Sequence, residues 1–265
     1  MPELPDVEVF RKYLNRTALN RKIEKVEVRD KDVLGAHSAR SLQMKLKGRK
    51  FKETERRGKY MFVRFEKNAW LVLHFGMTGF LKYYKNEDQE PDHARVIFNF
   101  ANGYKLAYDN QRKLGKVDIA KGLEDFAAEN DIGPDVLKDD FDLGKFKEIM
   151  DKKRGLVKSA LMDQKSMAGI GNIYSDEILF RAGIHPASRT EKLGNKEVKK
   201  IFKALKTVLN KAVEAEVDPQ KMPRSYLLPN REAGRKCPQC KGKIESRKFS
   251  GRTGYFCNRH QKKIS

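Results

Sequence analysis

With 265 residues, the chain has the length of one large domain or two small ones, and either can bury a hydrophobic core. Its 57 lysines and arginines exceed its 36 aspartates and glutamates, giving a formal net charge of +21. This excess indicates a polyanionic partner, although ribosomal association or an anionic membrane surface would produce the same balance. No apolar run reaches the roughly 18–20 residues that span a bilayer, and no charged leader with an apolar segment is visible. We therefore expect an intracellular protein, cytoplasmic or nucleoid-associated, that does not bind membranes.

The N-terminal segment reads MPELPDVE. If Met1 is removed, which a following proline permits, the chain begins with the secondary amine of Pro2. An α-amino group titrates at about pH 7.7–8.0, so this amine is a usable nucleophile near neutral pH. Its condensation with a sugar C1′ gives an iminium, an electron sink suited to elimination, and Glu3 beside it supplies an acid or base. The simpler alternative is that Pro2 and Pro5 only begin a helix, because apolar residues follow at helical spacing.

The first half of the chain has the alternation of short strands. Apolar residues fit strands at 23–28, 61–65 and 70–75. The clearest hairpin joins Val96–Phe100 to Tyr104–Tyr108 through an Asn102-Gly103 turn, a pair that accepts positive φ. Several strands at this spacing predict a β-sandwich.

The composition changes between Glu124 and Asp151. This segment contains ten acidic residues and only three lysines, and Gly133-Pro134 interrupts it. We interpret this segment as an interdomain boundary with an exposed acidic face. The expected domains are 1–135, 136–230 and 231–265.

From Leu143 onward the pattern is helical. Helices are predicted at 156–163, at 172–180 closed by Ala182-Gly183, and after Asn195 as N-cap, with an apolar stripe from Val198 to Val213. The turn Gly169-Ile170-Gly171-Asn172 precedes the second helix, and N–H groups at such a helix start can bind phosphate. An ordinary tight turn is the alternative.

All three cysteines lie near the C-terminus, in the pairs Cys237-x-x-Cys240 and Cys257-x-x-His260 separated by sixteen residues. Two such pairs can close a tetrahedron around Zn²⁺ with a hairpin between them. Four protein ligands leave no open position, so we expect one structural zinc ion.

Several of these segments resemble the formamidopyrimidine-DNA glycosylase family, whose relatives include endonuclease VIII. Residues 2–8 are similar to its N-terminal signature, residues 161–186 to its helix–two-turn–helix, and the cysteine pairs to its zinc finger. The resemblance implies an α+β protein: an N-terminal helix and β-sandwich domain, then a helical domain and a zinc-finger hairpin. It also implies a bifunctional enzyme that excises oxidised bases through a Schiff base at the N-terminal proline and cuts the strand by β,δ-elimination.

The resemblance assigns roles residue by residue. The implied catalytic residues are Pro2, Glu3, Lys59 and Arg252. The implied DNA-binding residues are His74, Met77, His93, Arg112, Arg154, Lys158 and Asn172. Met77 matches a wedge that enters the base stack. Taken without the family, a methionine there is ordinary core packing, a surface histidine usually binds nothing, and the basic residues are solvated charges.

Four departures from the family pattern are visible. Asp6 replaces a glutamate, and Lys113-Leu114 replaces an arginine and an aromatic wedge, which weakens stacking on the opposite strand. His260 replaces a fourth cysteine. Residues 217–236 do not match the glycine-rich loop that closes over an extruded base in the family's oxidised-guanine enzymes.

We therefore expect a monomeric glycosylase and abasic-site lyase acting on double-stranded DNA with damaged bases or abasic sites. Formamidopyrimidines are the first expected substrate and 8-oxoguanine a second candidate. The alternative from another class is a non-catalytic zinc-finger DNA-binding protein on the same scaffold. A ribosome- or RNA-associated zinc protein explains the charge and the cysteines but leaves the N-terminal signature without a role.

Overall fold

The fold is described from a computed structural model that covers all residues, Met1–Ser265. It divides into two units: unit 1 is Met1–Pro2 with Asp6–Asp131, and unit 2 is Glu3–Pro5 with Ile132–Ser265. The finer division at residues 135 and 230 stays a prediction. None of the helices combines the length and the hydropathy needed to cross a bilayer.

Unit 1 is built on eight strands. They are β1 (Ile23–Val28), β2 (Glu53–Arg57), β3 (Tyr60–Glu66), β4 (Ala69–His74), β5 (Phe80–Tyr84), β6 (Ala94–Phe100), β7 (Lys105–Asp109) and β8 (Lys116–Ala120). They form two four-stranded antiparallel sheets, in the orders β1-β6-β7-β5 and β2-β3-β4-β8. Buried side chains from both sheets, such as Phe98 and Leu71, belong to one core cluster. The predicted β-sandwich is thereby confirmed.

Three helices complete this part of the chain: α1 (Leu4–Thr17), α2 (Ala39–Leu46) and α3 (Leu123–Glu129). Pro5 lies in the first turn of α1, where a missing N–H costs nothing. Val7 and Leu14 of α1 are fully buried in the sandwich core. The β6–β7 hairpin pairs Phe98 with Leu106 as the alternation predicts, and Gly103 in its turn has a φ of +78°.

Unit 2 is helical up to its C-terminal hairpin. Its helices are α4 (Leu143–Asp151), α5 (Val157–Leu161), α6 (Asn172–Ala182) and α7 (Asn195–Glu214). Gly183 ends α6 in the left-handed conformation, as its place after Ala182 predicts. The predicted N-cap of α7 is wrong by one residue: Gly194 occupies that position and Asn195 is the first helical residue.

The C-terminal hairpin consists of β9 (Glu245–Phe249) and β10 (Arg252–Phe256). The tail that follows is tied to the segment after α6, because His185 N donates to Lys262 O and Arg189 N donates to Ile264 O, both at 2.9 Å. The hairpin and tail are thus fixed to the helices of unit 2.

Candidate functional site

The side chain of Glu3 is buried at the N-terminus of α6. Its Oε2 accepts hydrogen bonds from Gly171 N at 2.7 Å and Tyr174 N at 3.2 Å, and its Oε1 accepts one from Ile173 N at 2.8 Å. These amides are among those that a helix start leaves without intrahelical partners. Together with the helix dipole they stabilise a negative charge on the Glu3 carboxylate.

The two glycines before α6 make room for this contact. A Cβ on Gly171 would lie 2.3 Å from Glu3 Cδ, and a Cβ on Gly169 would lie 2.4 Å from Leu4 Cδ1. Gly169 also has a φ of +122°, which L-residues rarely adopt, and its carbonyl accepts Leu4 N. Of the two alternatives for this turn, a phosphate site and an ordinary tight turn, the first is not supported, because an internal carboxylate occupies three of the amides.

Lys158 lies at the centre of a buried ionic cluster. Its side chain has no exposed surface, and its Nζ donates to Asp176 Oδ1 at 2.6 Å, Ser175 Oγ at 2.8 Å and Asn172 O at 3.0 Å. Burial lowers the pKa of Lys158. Its three N–H donors are used inside the protein, so the DNA contact expected of Lys158 stays a prediction that this geometry does not support.

Asp176 connects this cluster to the C-terminal hairpin. Its Oδ2 accepts Tyr255 N of β10 at 3.0 Å and the Arg231 guanidinium at 2.8 Å. Arg231 also lies over the Tyr255 ring, 4.4 Å from its centroid. Sequence reasoning gave Asp176 no role, although an acidic pair surrounded by apolar residues in one helix is a readable signal of buried carboxylates.

Asn172 contacts the C-terminal hairpin at Thr253, the residue after Arg252. Asn172 Nδ2 donates to Thr253 O in β10 at 2.9 Å, so the predicted phosphate ligand is engaged with the hairpin. Arg252 is exposed at the start of β10, and its nearest polar contact is Met162 Sδ at 3.7 Å. The turn between β9 and β10 is joined to α5 by a hydrogen bond between Ser250 Oγ and Ser159 Oγ at 2.9 Å.

Arg154 is exposed in the loop before α5. Its Nη1 donates to the carbonyls of Asp151 and Lys153, both at 2.8 Å. These bonds curl the side chain back on its own turn and leave its other guanidinium nitrogens without a recorded protein contact.

In unit 1, Lys59 lies in the β2–β3 turn, beside Gly58 with a φ of +57°. Buried Arg56 fixes the turn, since it donates to Gly58 O at 3.2 Å and to Glu8 Oε2 of α1 at 3.1 Å. Lys59 itself is 9 % exposed. Its side chain is therefore largely enclosed, unlike that of a typical surface lysine.

His74, at the end of β4, packs against the Tyr60 ring with centroids 4.7 Å apart. Burial and the nearby Lys59 ammonium lower the pKa of His74 to about 4. The ring is therefore neutral near pH 7, and any contact of it with phosphate is a hydrogen bond without a full charge.

Met77 and Leu114 are exposed apolar side chains, 39 % and 51 % accessible. Their two loops touch, because a Cβ on Gly76 would lie 2.5 Å from the Leu114 carbonyl carbon. Arg112 is exposed beside them, and its backbone N donates to Thr78 Oγ1 at 3.1 Å. Unit 1 thus presents two exposed apolar tips on touching loops, with exposed Arg112 in the same turn as Leu114.

His93 is half-buried, and its backbone N donates to Asp109 Oδ2 at 2.9 Å. Burial raises the pKa of the Asp109 carboxyl. His93 also borders a recess of about 290 Å³ that Thr78 and Gln111 help to line. This places it beside the Arg112 loop. Pro2 is half-exposed and lies two residues before the start of α1 at Leu4.

The three cysteines of unit 2 come together. Their Sγ atoms lie within 4.8 Å of one another, and those of Cys240 and Cys257 are 3.6 Å apart. Zn–S bonds of about 2.3 Å at the tetrahedral angle would separate two sulfurs by about 3.8 Å. Gly242 N donates to Cys240 Sγ at 3.3 Å, and a Cβ on Gly242 would lie 2.9 Å from Cys257 Sγ. The donor set fits a metal ion.

His260 lies outside this cluster of sulfurs. Its Nε2 is 2.9 Å from Phe180 O, and the two rings pack with centroids 4.7 Å apart. A bond to a carbonyl requires a proton on Nε2, so the lone pair of the neutral ring is on Nδ1. His260 as the fourth ligand stays a prediction, and this contact leaves Nδ1 as the only ring atom for that role.

Known proteins resemble this chain along nearly its whole length. Residues 1–117 match the family model of the formamidopyrimidine-DNA glycosylase N-terminal domain, and residues 132–222 match that of its H2TH domain. The chain is 32 % identical to the formamidopyrimidine-DNA glycosylase of Heliobacterium modesticaldum, covering 99 % of this chain and 100 % of that one. It is 30 % identical to that of Pelotomaculum thermopropionicum, covering 99 % of each.

The chain belongs to the formamidopyrimidine-DNA glycosylase family. Its fold is similar to that of Lactococcus lactis Fpg bound to DNA with an abasic site, with a TM-score of 0.89, 27 % identity and coverage of 98 % of this chain and 100 % of that chain. A Lactococcus lactis Fpg mutant bound to Fapy-dG-containing DNA has the same TM-score and identity. As a member of this family the protein is a DNA-repair glycosylase, and abasic-site lyase activity is characteristic of the family.

Proposed function

We propose that this glycosylase excises oxidised bases, formamidopyrimidines first, by attack of the Pro2 amine on C1′ of the damaged nucleotide. The C1′–base bond breaks, and the base leaves with the electron pair and takes up a proton. Opening of the sugar ring gives an iminium between Pro2 and C1′. Loss of a C2′ proton then expels the 3′-phosphate, and a second elimination expels the 5′-phosphate.

The observation that supports this chemistry is the placement of Glu3, the residue after the attacking amine. Three backbone amides hold its carboxylate at a helix N-terminus, which fixes its position and stabilises its ionised form. An ionised carboxylate stabilises an adjacent iminium and accepts a proton during elimination. Glu3 can donate a proton to the sugar ring oxygen only after it has itself accepted one.

Lys59 and Arg252 complete the proposed catalytic set. Lys59 is held in a turn that buried Arg56 fixes, which suits a cation that must contact the DNA backbone beside the lesion. Arg252 is exposed at the tip of the hairpin, where a guanidinium can grip one phosphate with two hydrogen bonds. The remaining DNA contacts are proposed for His74, Met77, His93, Arg112, Arg154 and Asn172.

One zinc ion is proposed at Cys237, Cys240 and Cys257, with His260 Nδ1 as the fourth ligand. Three thiolates and one imidazole satisfy zinc and leave no open position, so the ion would stabilise the hairpin that presents Arg252. The Phe180 carbonyl would serve as the outer partner that orients the histidine.

Borohydride trapping tests the proposal. Duplex DNA with an abasic site is incubated with protein whose Pro2 is the first residue, and with the same chain carrying an uncleaved N-terminal tag. We expect a covalent adduct and strand cleavage only where the Pro2 amine is free. Adduct formation by the tagged chain would show that another amine reacts.

The alternative considered from the sequence, a non-catalytic DNA-binding protein, is at odds with membership of a glycosylase family. It predicts salt-sensitive DNA binding with no adduct on any substrate. A cleavage panel of formamidopyrimidine, 8-oxoguanine, oxidised pyrimidine and abasic sites, each opposite a defined base, separates the two and identifies the preferred lesion.

A further inference from the structure

The turn 110–115 connects β7 to β8 and carries two exposed residues, Arg112 and Leu114, which the family resemblance places at the DNA. Between them, Lys113 has a φ of +54°, in the left-handed region that lysine rarely adopts. A non-glycine residue persists in that conformation only when its surroundings fix it. The ion pairs of the Lys113 side chain come from a single acidic segment.

That segment is Asp30–Asp32, which follows β1. Lys113 Nζ lies 2.6 Å from Asp30 Oδ2 and 3.3 Å from Asp32 Oδ2. Asp30 Oδ1 also accepts Asp32 N at 3.0 Å, which caps the short 3₁₀ helix Lys31–Val33. The ammonium therefore binds a pair of carboxylates whose spacing the backbone itself holds.

The same segment reaches both ends of the turn. Arg95 Nε donates to Asn110 O at 3.0 Å, while Arg95 Nη1 lies 3.6 Å from Asp30 Oδ2. At the other end, Lys116 Nζ donates to Asp32 O at 3.0 Å. The start, the middle and the end of the turn are thus each tied to residues 30–32.

These contacts matter because an exposed apolar tip performs its role only when it enters the base stack. Opening the stack costs a few kcal/mol, and a side chain that is already ordered adds no ordering cost to it. An anchored turn would present Leu114 in one conformation before DNA arrives. The Lys113 ammonium would serve as the tie rather than as a phosphate ligand.

We infer that Asp30 and Asp32 are positioning residues, which hold the turn through Lys113 so that Leu114 and Arg112 are preset for entry into damaged DNA. The inference rests on the proposed function, since it concerns how the everted nucleotide is replaced in the stack. It assigns a role to two carboxylates that do not touch the substrate.

The experiment uses Asp30→Asn, Lys113→Gln and the double variant in the full chain. Asparagine keeps an acceptor for Asp32 N and removes only the charge. Asp88→Asn and Lys67→Gln are the matched charge controls, because both residues are exposed in unit 1 and their side chains form no hydrogen bond or ion pair. Stopped-flow fluorescence of 2-aminopurine placed opposite an abasic site reports unstacking, and single-turnover cleavage is followed on the same duplex.

We expect Asp30→Asn and Lys113→Gln each to slow the unstacking signal about threefold to fivefold, the range that one surface ion pair supports. The double variant should be no slower than the slower single variant, and both controls should match the wild type. On a single-stranded abasic substrate, which has no stack to open, all variants should cleave at the wild-type rate.

Additive losses in the double variant, or equal slowing on single-stranded DNA, would overturn the inference, since both indicate general damage to unit 1. Faster unstacking by Asp30→Asn would also overturn it, by showing that the acids restrain a lysine that binds phosphate. Absence of any borohydride adduct in the wild type would instead count against the proposed chemistry, which keeps the two failures distinct.

Discussion

At the scale of single residues, Gly171 decides where the Glu3 carboxylate can lie. A Cβ at this position would meet Glu3 Cδ at 2.3 Å and Oε1 at 2.4 Å, so Gly171→Ala must displace the carboxylate from the α6 amides. A misplacement of about 1 Å in a catalytic group can cost about 10²-fold in rate. We expect single-turnover excision to fall by about that factor, while the Kd for DNA with an uncleavable abasic analogue changes less than about threefold.

The control for this substitution is Gly122→Ala. A Cβ there meets only Asp125 Oδ2, at an ordinary 3.6 Å, and no positive φ is involved. Its excision rate should equal that of the wild type. A wild-type rate in Gly171→Ala would mean that the Glu3 contact has no part in the reaction.

Lys158 and Arg154 lie four residues apart and differ in what they can bind. Breaking a buried ion pair by removing one partner costs about 3–5 kcal/mol, so Lys158→Met should lower the free energy of unfolding by roughly that amount. The salt dependence of DNA binding should not change. Arg154→Gln should leave stability within about 0.5 kcal/mol and reduce the salt slope by about one. Urea unfolding measures the stability of each variant, and binding titrations measure its salt slope. A reduced salt slope in Lys158→Met, or a large stability loss in Arg154→Gln, would contradict the roles given to these two residues.

The roles of the N-terminal segment and of Met77 come from the family resemblance and stay predictions, whereas the residue types and their spacing predicted the cysteine cluster. They could not predict that Lys158 is buried, because a lysine beside Arg154 in a basic segment has the same local pattern in either state. They also could not reveal that Glu3 fills the amide site ahead of α6, since that contact joins residues about 170 positions apart. Contacts between residues far apart in the sequence cannot be predicted from local sequence patterns.

At the scale of elements, strong periodicity identified β1, β3, β4, the β6–β7 hairpin and α7. Strand β2 was not predicted, because four of its five residues are charged and only its pairing with β3 makes it a strand. The N-cap of α7 was misplaced by one residue because Asn195 is the better capping type while Gly194 has the required backbone conformation. Tertiary pairing and backbone geometry decided both cases over local preference.

Glu177 of α6 fixes the segment before the cysteines. Its fully buried carboxylate accepts Leu227 N at 3.0 Å and Leu228 N at 2.6 Å, and burial raises its pKa to about 7 despite the nearby Arg181. Between about pH 4.5 and 7 the folded protein therefore holds a proton that the unfolded chain has lost. Stability from this group must fall as pH rises through that window.

The measurement compares the free energy of unfolding of wild type and Glu177→Gln from pH 5 to pH 8. Glutamine does not titrate, so the wild type should lose stability relative to the variant as pH rises, by at most about 1.4 kcal/mol per pH unit. Other titrating groups cancel in the difference. A wild-type stability that stays constant or rises relative to that of Glu177→Gln as pH increases would contradict the raised pKa of Glu177.

The hairpin β9–β10 is the element that depends most on the proposed zinc ion. Two strands alone are marginally stable, and the core beneath this hairpin is small, with Phe180, Leu227 and Ile244 among its few buried residues. Elemental analysis should find one zinc per chain. Chelation should accelerate amide exchange in the hairpin while α7 keeps its protection, because α7 packs in a separate core. Unchanged exchange in the hairpin after metal removal would exclude a structural ion.

At the scale of the whole molecule, the net charge of +21 concerns binding rather than folding. If about six phosphates are neutralised, log K should fall against log salt with a slope of about −5 on duplex DNA and about −4 on a single strand. Arg112→Gln should reduce the duplex slope by about one, whereas Lys67→Gln should not change it. Binding titrations at several salt concentrations give these slopes. A duplex slope near zero would contradict DNA as the polyanion, and equal reductions in both variants would mean that total charge, rather than the placement of Arg112, controls affinity.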